Sequence, residues 1–280
     1  MNDNFFFKKA KEEEFMIMSH RGFWGGNIIE NSVYSAYLAY MAGADIVEVD
    51  VCCTVDQKYY LFHDGNELKL FLHTKNFKEL SSEEVDNSEV YNSIGSVSGH
   101  RINTLTDFLE WLPKGKLVNI DRSWDYWGEP DFFRILKNSG KADQLVLKSP
   151  VRKKYLELLA KNGPEFHYIP ILKTRNEFQF VQLYEQIDMI GVEIVTEQLD
   201  SELLDPIWLS ELKEKKYLII ANAENLGADF NLFGKLTDQE ALLKGGDWGE
   251  IIQTGVNCIQ TDWPNFLSEY RRKLIKRVTK

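Results

Sequence analysis

Short apolar runs alternate with longer amphipathic ones along most of the chain. The runs at 15–19, 45–51, 116–121, 144–149, 167–172, 189–195, 217–221 and 257–260 have the length and β-branched content of strands. Between them, helical spacing predicts helices at about 31–41 (ended by Gly43), 104–111 (capped by Thr104 or Thr106), 130–137, 151–161, 176–186 and 201–213, with a tail helix over 264–277. A further short strand, Gln57 to Phe62, is expected to pair back on the second strand through a turn near Val55 to Lys58. This alternation predicts an α/β fold, a TIM (β/α)8 barrel rather than a doubly wound sheet, in one domain spanning residues 1–280. From Gly65 to Asn103 the text turns polar, and a stretch of that length predicts a functional loop or small insertion after the second strand.

The run DIVEVDV, from Asp45 to Val51, organises the rest. Side chains alternate faces along a strand, so Glu48 and Asp50 share one face while Val47, Val49 and Val51 share the other. A wholly apolar opposite face implies a covering layer of helices, which puts the carboxylates inside the barrel or at its mouth. Two buried carboxylates repel unless a cation neutralises them, and oxygen donors alone suit a hard ion such as Mg²⁺ or Ca²⁺. Asp121, at the end of its own apolar run, is the candidate third ligand, because barrel chemistry collects at the carboxyl ends of strands. Taken alone, Asp121 would be read as a cap or turn residue.

His20 and His63 each end an apolar run. Beside a divalent ion, one imidazole removing a proton and another supplying one make a phosphoryl-transfer site. His73, His100 and His167 lack such company and receive no role. Arg21 suits a phosphate oxygen pair through parallel donors. Lys148 ends the fourth run, and alternation alone leaves it open between pocket and surface. Trp124, in SWDYW, stands equally as core or as a stacking surface for substrate, and Asn222 is the candidate substrate contact on the long segment after the seventh strand, which should also border the mouth. Asn31 reads first as a helix cap, and Asp64 as a residue that orients a ring or binds the amides of its own turn.

His20-Arg21-Gly22, then Glu30-Asn31, GADIVEVDV, Thr54-x-Asp56, His63-Asp64 and, near the end, Thr261-Asp262-Trp263-Pro264 together resemble the signature of the glycerophosphodiester phosphodiesterases. The resemblance runs from Ser19 to about Tyr270 and is thinner in the middle. It implies hydrolysis of a glycerophosphodiester to an alcohol and sn-glycerol 3-phosphate, with His20 and His63 catalytic, Glu48, Asp50 and Asp121 on the metal, and Glu30 in the catalytic network. It also implies that the insertion at 65–103 caps the site, and it suggests roles in lipid and glycerol metabolism. The family pattern of Glu, any residue, Lys is here Asp121, Arg122, Ser123. The acid is shorter, the lysine is missing, and Arg122 is expected to face away from Asp121. Arg21 and Lys148 are the substitutes. A phospholipase D or sphingomyelinase D type of enzyme acting on lysophospholipids is the second reading, and a non-catalytic phosphate-binding barrel the third.

Composition narrows the partners. A hydrophobic fraction of 44% in 280 residues supports a large core. The net charge of -10 disfavours nucleic acid and anionic membrane, which leaves a small phosphodiester as substrate. Cys52, Cys53 and Cys258 offer no disulfide framework. No stretch nears the roughly 18 apolar residues of a membrane span. The opening MNDNFFFKKAKEEEF lacks the pattern of a signal peptide, so the expectation is cytoplasmic, or secreted had a leader been removed.

Overall fold

The computed structural model describes Phe6 and residues 13–226 and 232–278, with side chains as far as Ile275. Most of the opening segment read above for targeting, and part of the segment after the seventh strand, lie outside the described residues. Eight parallel strands close into a barrel: β1 (Met16–Ser19), β2 (Ile46–Cys53), β4 (Leu117–Asp121), β5 (Leu145–Pro150), β6 (His167–Leu172), β8 (Gly191–Ile194), β9 (Leu218–Asn222) and β10 (Cys258–Thr261). Pairing of β1 with both β10 and β2 completes the ring. β3 (Tyr59–Leu61) runs antiparallel to β2 through the expected turn, where Thr54 N donates to Lys58 O at 3.0 Å. The sixth expected strand is broken at Ile190, so that β7 (Asp188–Met189) precedes β8 on the same edge of β6.

The helices are α1 (Val33–Met41), α2 (Glu67–Phe71), α3 (Ser82–Asn87), α4 (Leu105–Trp111), α5 (Pro130–Asn138), α6 (Lys153–Asn162), α7 (Arg175–Val181), α8 (Pro206–Glu214), α9 (Asp238–Leu243), α10 (Gly249–Gln253) and α11 (Pro264–Val278). Thr104 caps α4 by accepting from Asp107 N. The cap of α1 corrects the sequence reading: Ser32, not Asn31, accepts from Ser35 N. α7 ends at Val181, short of the expected Gln186. No described helix is long and apolar enough to cross a membrane.

Alternation divides the apolar residues into three sets. Val47, Val49 and Val51 face outward with Val118, Ile120, Leu147 and Ile259 into the layer between strands and helices. Met16, Met18, Ile46, Leu117, Val146, Ile169, Leu218, Ile220 and Cys258, joined by Phe6, fill the inside of the barrel at its amino-terminal end. The inward positions turn polar along several strands: Ile46 gives way to Glu48 and Asp50, Leu117 to Asn119 and Asp121, Val146 to Lys148, Ile220 to Asn222, and Cys258 to Gln260. One strand thus supplies both a dry floor and a polar ceiling. The third set, which includes Cys52, Tyr60, Phe62, Leu70, Phe71, Phe77, Val85 and Ile102, is the core of the insertion, built on β3. Its helices α2 and α3 and a Tyr91–Val97 bridge give the polar stretch a structure of its own.

The tail helix locks the barrel floor. Arg271, on α11, donates from Nη1 to Phe15 O at 2.9 Å and from Nη2 to Gly43 O at 3.2 Å, and it pairs with Asp45, whose Oδ2 also accepts from Ile17 N. Removing one partner of a buried ion pair leaves the other charge poorly compensated in low dielectric. Arg271→Met is therefore expected to destabilise the fold by about 3–5 kcal/mol, read as a lower urea midpoint at unchanged slope.

Candidate active site at the barrel mouth

Glu48, Asp50 and Asp121 each offer an oxygen, and these atoms lie within 4.8 Å of one another. The register explains it: Glu48 sits beside Asn119, and Asp50 beside Asp121, on adjacent parallel strands. Burial, with Asp50 adding to it, holds the Glu48 carboxyl well above the usual range. For Asp50 burial works in the same direction, but Arg21, His63, the Asn31 hydrogen bond and His20 together more than offset it and the net shift is downward. A pocket of hard oxygens in which one acid resists ionising fits a divalent cation of the Mg²⁺ or Ca²⁺ kind.

The protein supplies two cations of its own. Arg21 lies with Nε 3.1 Å from Asp50 Oδ2 and donates from Nη1 to Glu30 Oε1 at 3.0 Å, while its backbone N donates to Glu48 Oε2 at 2.7 Å. Its φ of +56° turns the chain there. Gly22 follows at φ +77°, where a Cβ would come within 2.6 Å of the Ser35 backbone, so the turn requires glycine. Glu30 is also held by Asn66 and Lys69 from the insertion. Lys148 is buried, 2.8 Å from Asp121 Oδ2 and 2.6 Å from Glu193 Oε2. That resolves its open placement in favour of the pocket. Ser123, where the resembled pattern has lysine, is turned into the core and accepts from Trp127 Nε1 at 3.2 Å.

Three side chains depart from the sequence reading. Asn31 clasps Asp50, donating Nδ2 to Oδ2 at 3.0 Å and accepting the Asp50 amide at 2.9 Å. Among the described residues Asp64 bonds to no ring nitrogen and no turn amide; it pairs with Lys78 at 3.1 Å and Arg122 at 2.9 Å. Arg122 does not point away, because its φ of +53° breaks the alternation and brings it to the cavity rim. Trp124 borders the cavity and Trp127 is core.

His20 and His63 line the same cavity, of about 250 Å³, with the carboxylates, Arg21, Lys148, Trp124 and Asn222. A larger hollow of about 360 Å³, between α4 and α5, is lined by Glu110, Arg134 and Lys141 but by no histidine and no group of carboxylates. Nδ1 of His20 lies 2.8 Å from Asp262 Oδ1, which leaves Nε2 for chemistry. Burial opposes charge on this ring, but Asp262, Glu224 and Glu48 prevail and raise it to about 9. His63 has no such carboxylate: burial, helped by Arg21 and Arg122 against Asp50, lowers its pKa, and its Nδ1 finds no partner among the described residues.

Sequence reasoning gave no role to Glu193, Glu224, Gln260, Asp238 or Asp262. Asp238 is buried at the start of α9; its Oδ2 accepts from Thr261 Oγ1 and Asp262 N, both at 2.8 Å, and its Oδ1 from Trp248 Nε1 at 2.8 Å. Burial pushes its carboxyl up to about 6. Because Asp238 holds the backbone of the residue that holds His20, Asp238→Asn is expected to lower kcat about tenfold and to move the alkaline limb of the pH profile. An unmoved limb in a stably folded variant would reduce Asp238 to scaffolding.

Residues 20–129 match the sequence model of the glycerophosphoryl diester phosphodiesterase family, and residues 166–271 match one described only as a domain of unknown function. No curated protein sequence matches the chain. Among solved structures, a glycerophosphoryl diester phosphodiesterase from Parabacteroides distasonis aligns with TM-score 0.74 at 17% identity, over 95% of this chain and 90% of that one. One from Thermotoga maritima gives TM-score 0.62 at 18% identity, over 91% and 98%. An Oleispira antarctica phosphodiesterase, described in complex with the product sn-glycerol-3-phosphate, gives 0.63 at 16%, over 94% and 99%. Residues 20–129 thus match the model of the glycerophosphoryl diester phosphodiesterase family, on a barrel similar to that of these solved proteins.

Proposed function

We propose that the protein hydrolyses a glycerophosphodiester to an alcohol and sn-glycerol 3-phosphate, with a divalent ion held by Glu48, Asp50 and Asp121. The observation that carries this reading is one cavity lined by two unlike histidines and a carboxylate trio. Support from outside the chain is the family match over residues 20–129 and the product described for the Oleispira antarctica protein. When bound, the ion supplies a positive charge to a non-bridging phosphoryl oxygen.

In-line displacement needs a base and an acid on opposite sides of phosphorus. His63, neutral near pH 7, takes the proton of the nucleophile, whether water or the substrate's own hydroxyl. His20, kept protonated by Asp262, gives one to the leaving oxygen. Arg21 is tethered by Glu30 and Asp50, so its charge is already in place as negative charge develops on the phosphoryl group. Lys148 neutralises Asp121 from the next strand and gives the cavity a cation in place of the lysine that the resembled pattern has at Ser123. Residues 65–103 act as the cap, supported by the reach of Asn66 and Lys69 to Glu30 and of Lys78 to Asp64. A second reading, a phospholipase D type of enzyme acting on lysophospholipids, draws on the apolar side of the cavity, where Ile171, Val195, Leu226 and Leu232 lie.

His20→Ala and His63→Ala are each expected to lower kcat about 10²–10⁴-fold with circular dichroism unchanged; near wild-type turnover in either refutes the assignment. Chelation should abolish activity, and Mg²⁺ or Ca²⁺ should restore it. In the free enzyme a base must be unprotonated and an acid protonated. The kcat/KM profile should therefore rise through a pKa below the ordinary 6.5 of histidine, owed to His63, and fall near 9, owed to His20. Turnover of choline lysophospholipids without turnover of glycerophosphocholine would favour the second reading.

A further inference from the structure

On the far side of the barrel mouth from the carboxylate trio, β8, β9 and β10 turn a second polar wall toward the cavity. Glu193, Asn222, Glu224 and Gln260 line it, and each is at most 5% exposed. Two carboxylates set the orientation of the amides. Asn222 Nδ2 donates to Glu193 Oε1 at 2.9 Å, and Gln260 Nε2 donates to Glu224 Oε1 at 3.1 Å. A carboxylate only accepts, so each amide must turn its nitrogen that way and leave its oxygen on the other side. Asn222 Oδ1 and Gln260 Oε1 are buried and meet no protein donor among the described residues; nor does Glu224 Oε2, an acceptor above the pH of about 7 to which burial pushes its carboxyl. The wall is therefore one of acceptors.

This wall borders His20, whose charge acts on Glu224. His63 and the carboxylates belong to the β2–β4 side. All four wall residues fall within 166–271, outside the stretch matched to the phosphodiesterase family. We propose that the wall is the subsite for the leaving alcohol, and that it selects alcohols whose far end carries N–H or O–H donors over those ending in a quaternary ammonium. The inference rests on the hydrolytic reading, in which His20 serves the leaving oxygen. A primary ammonium or a hydroxyl satisfies the acceptors. A trimethylammonium of equal charge has no proton to offer and leaves them buried and dry.

The test compares kcat/KM for glycerophosphoethanolamine, glycerophosphoglycerol and glycerophosphocholine, with calorimetric binding of the same three diesters. The expected result is a preference on the order of tenfold or more for the donor-bearing diesters over the choline one. A preference for the ethanolamine diester alone assigns the wall to an ammonium, and a preference for both assigns it to donors in general. Equal values, or a choline preference, overturn the proposal. Glu224→Gln, which replaces the acceptor by an amide, should bring the three kcat/KM values together. Should that variant melt early, Gln260→Met reads the same effect. A uniform loss on all three diesters would make the wall merely structural and would also overturn the proposal. Binding preference without hydrolysis would uphold the wall while refuting the hydrolytic reading.

Discussion

Carboxylates placed where water cannot screen them must each find a positive charge, and the barrel mouth is arranged around that demand. Two like charges 4 Å apart repel by about 4 kcal/mol at an effective dielectric of 20, and here three acids offer oxygens within 4.8 Å of one another. Arg21 answers for Asp50 and Lys148 for Asp121. Among the described residues Glu48 has a backbone amide and more distant charges, and it is the acid whose pKa climbs. The imbalance leaves room for a bound cation.

The backbone takes part in the same balance. Arg21, Asn31 and Arg122 all sit at positive φ, a conformation that costs an L-residue about 1–3 kcal/mol. Each donates to a different one of the three acids: the Arg21 amide to Glu48, the Asn31 side chain to Asp50, and the Arg122 amide to Asp121. Strain at these positions is thus offset by hydrogen bonds to carboxylates, which are among the stronger ones a protein makes.

Those left-handed turns also mark where the sequence stopped being legible. Alternation found Glu48, Asp50 and the apolar face behind them because both strand faces obey a period of two. The same rule misjudged Arg122, since one residue at positive φ reverses direction, and it left Asn31 as a cap although Ser32 does that work. Lys148 was ambiguous because its partners Asp121 and Glu193 come from other strands. Glu193 and Gln260 carried a usable signal: each is a polar residue directly flanked by apolar ones or by a strand end, in register with inward neighbours. Asp238 offered none, because its function depends on a helix start folding back against the final strand.

The bond between His20 and Asp262 spans 242 residues of sequence. A fragment cut before the last strand cannot form it. The histidine emerges early, but its carboxylate arrives only when β10 slots in between β9 and β1. Competence therefore comes last in assembly, once the ring has shut.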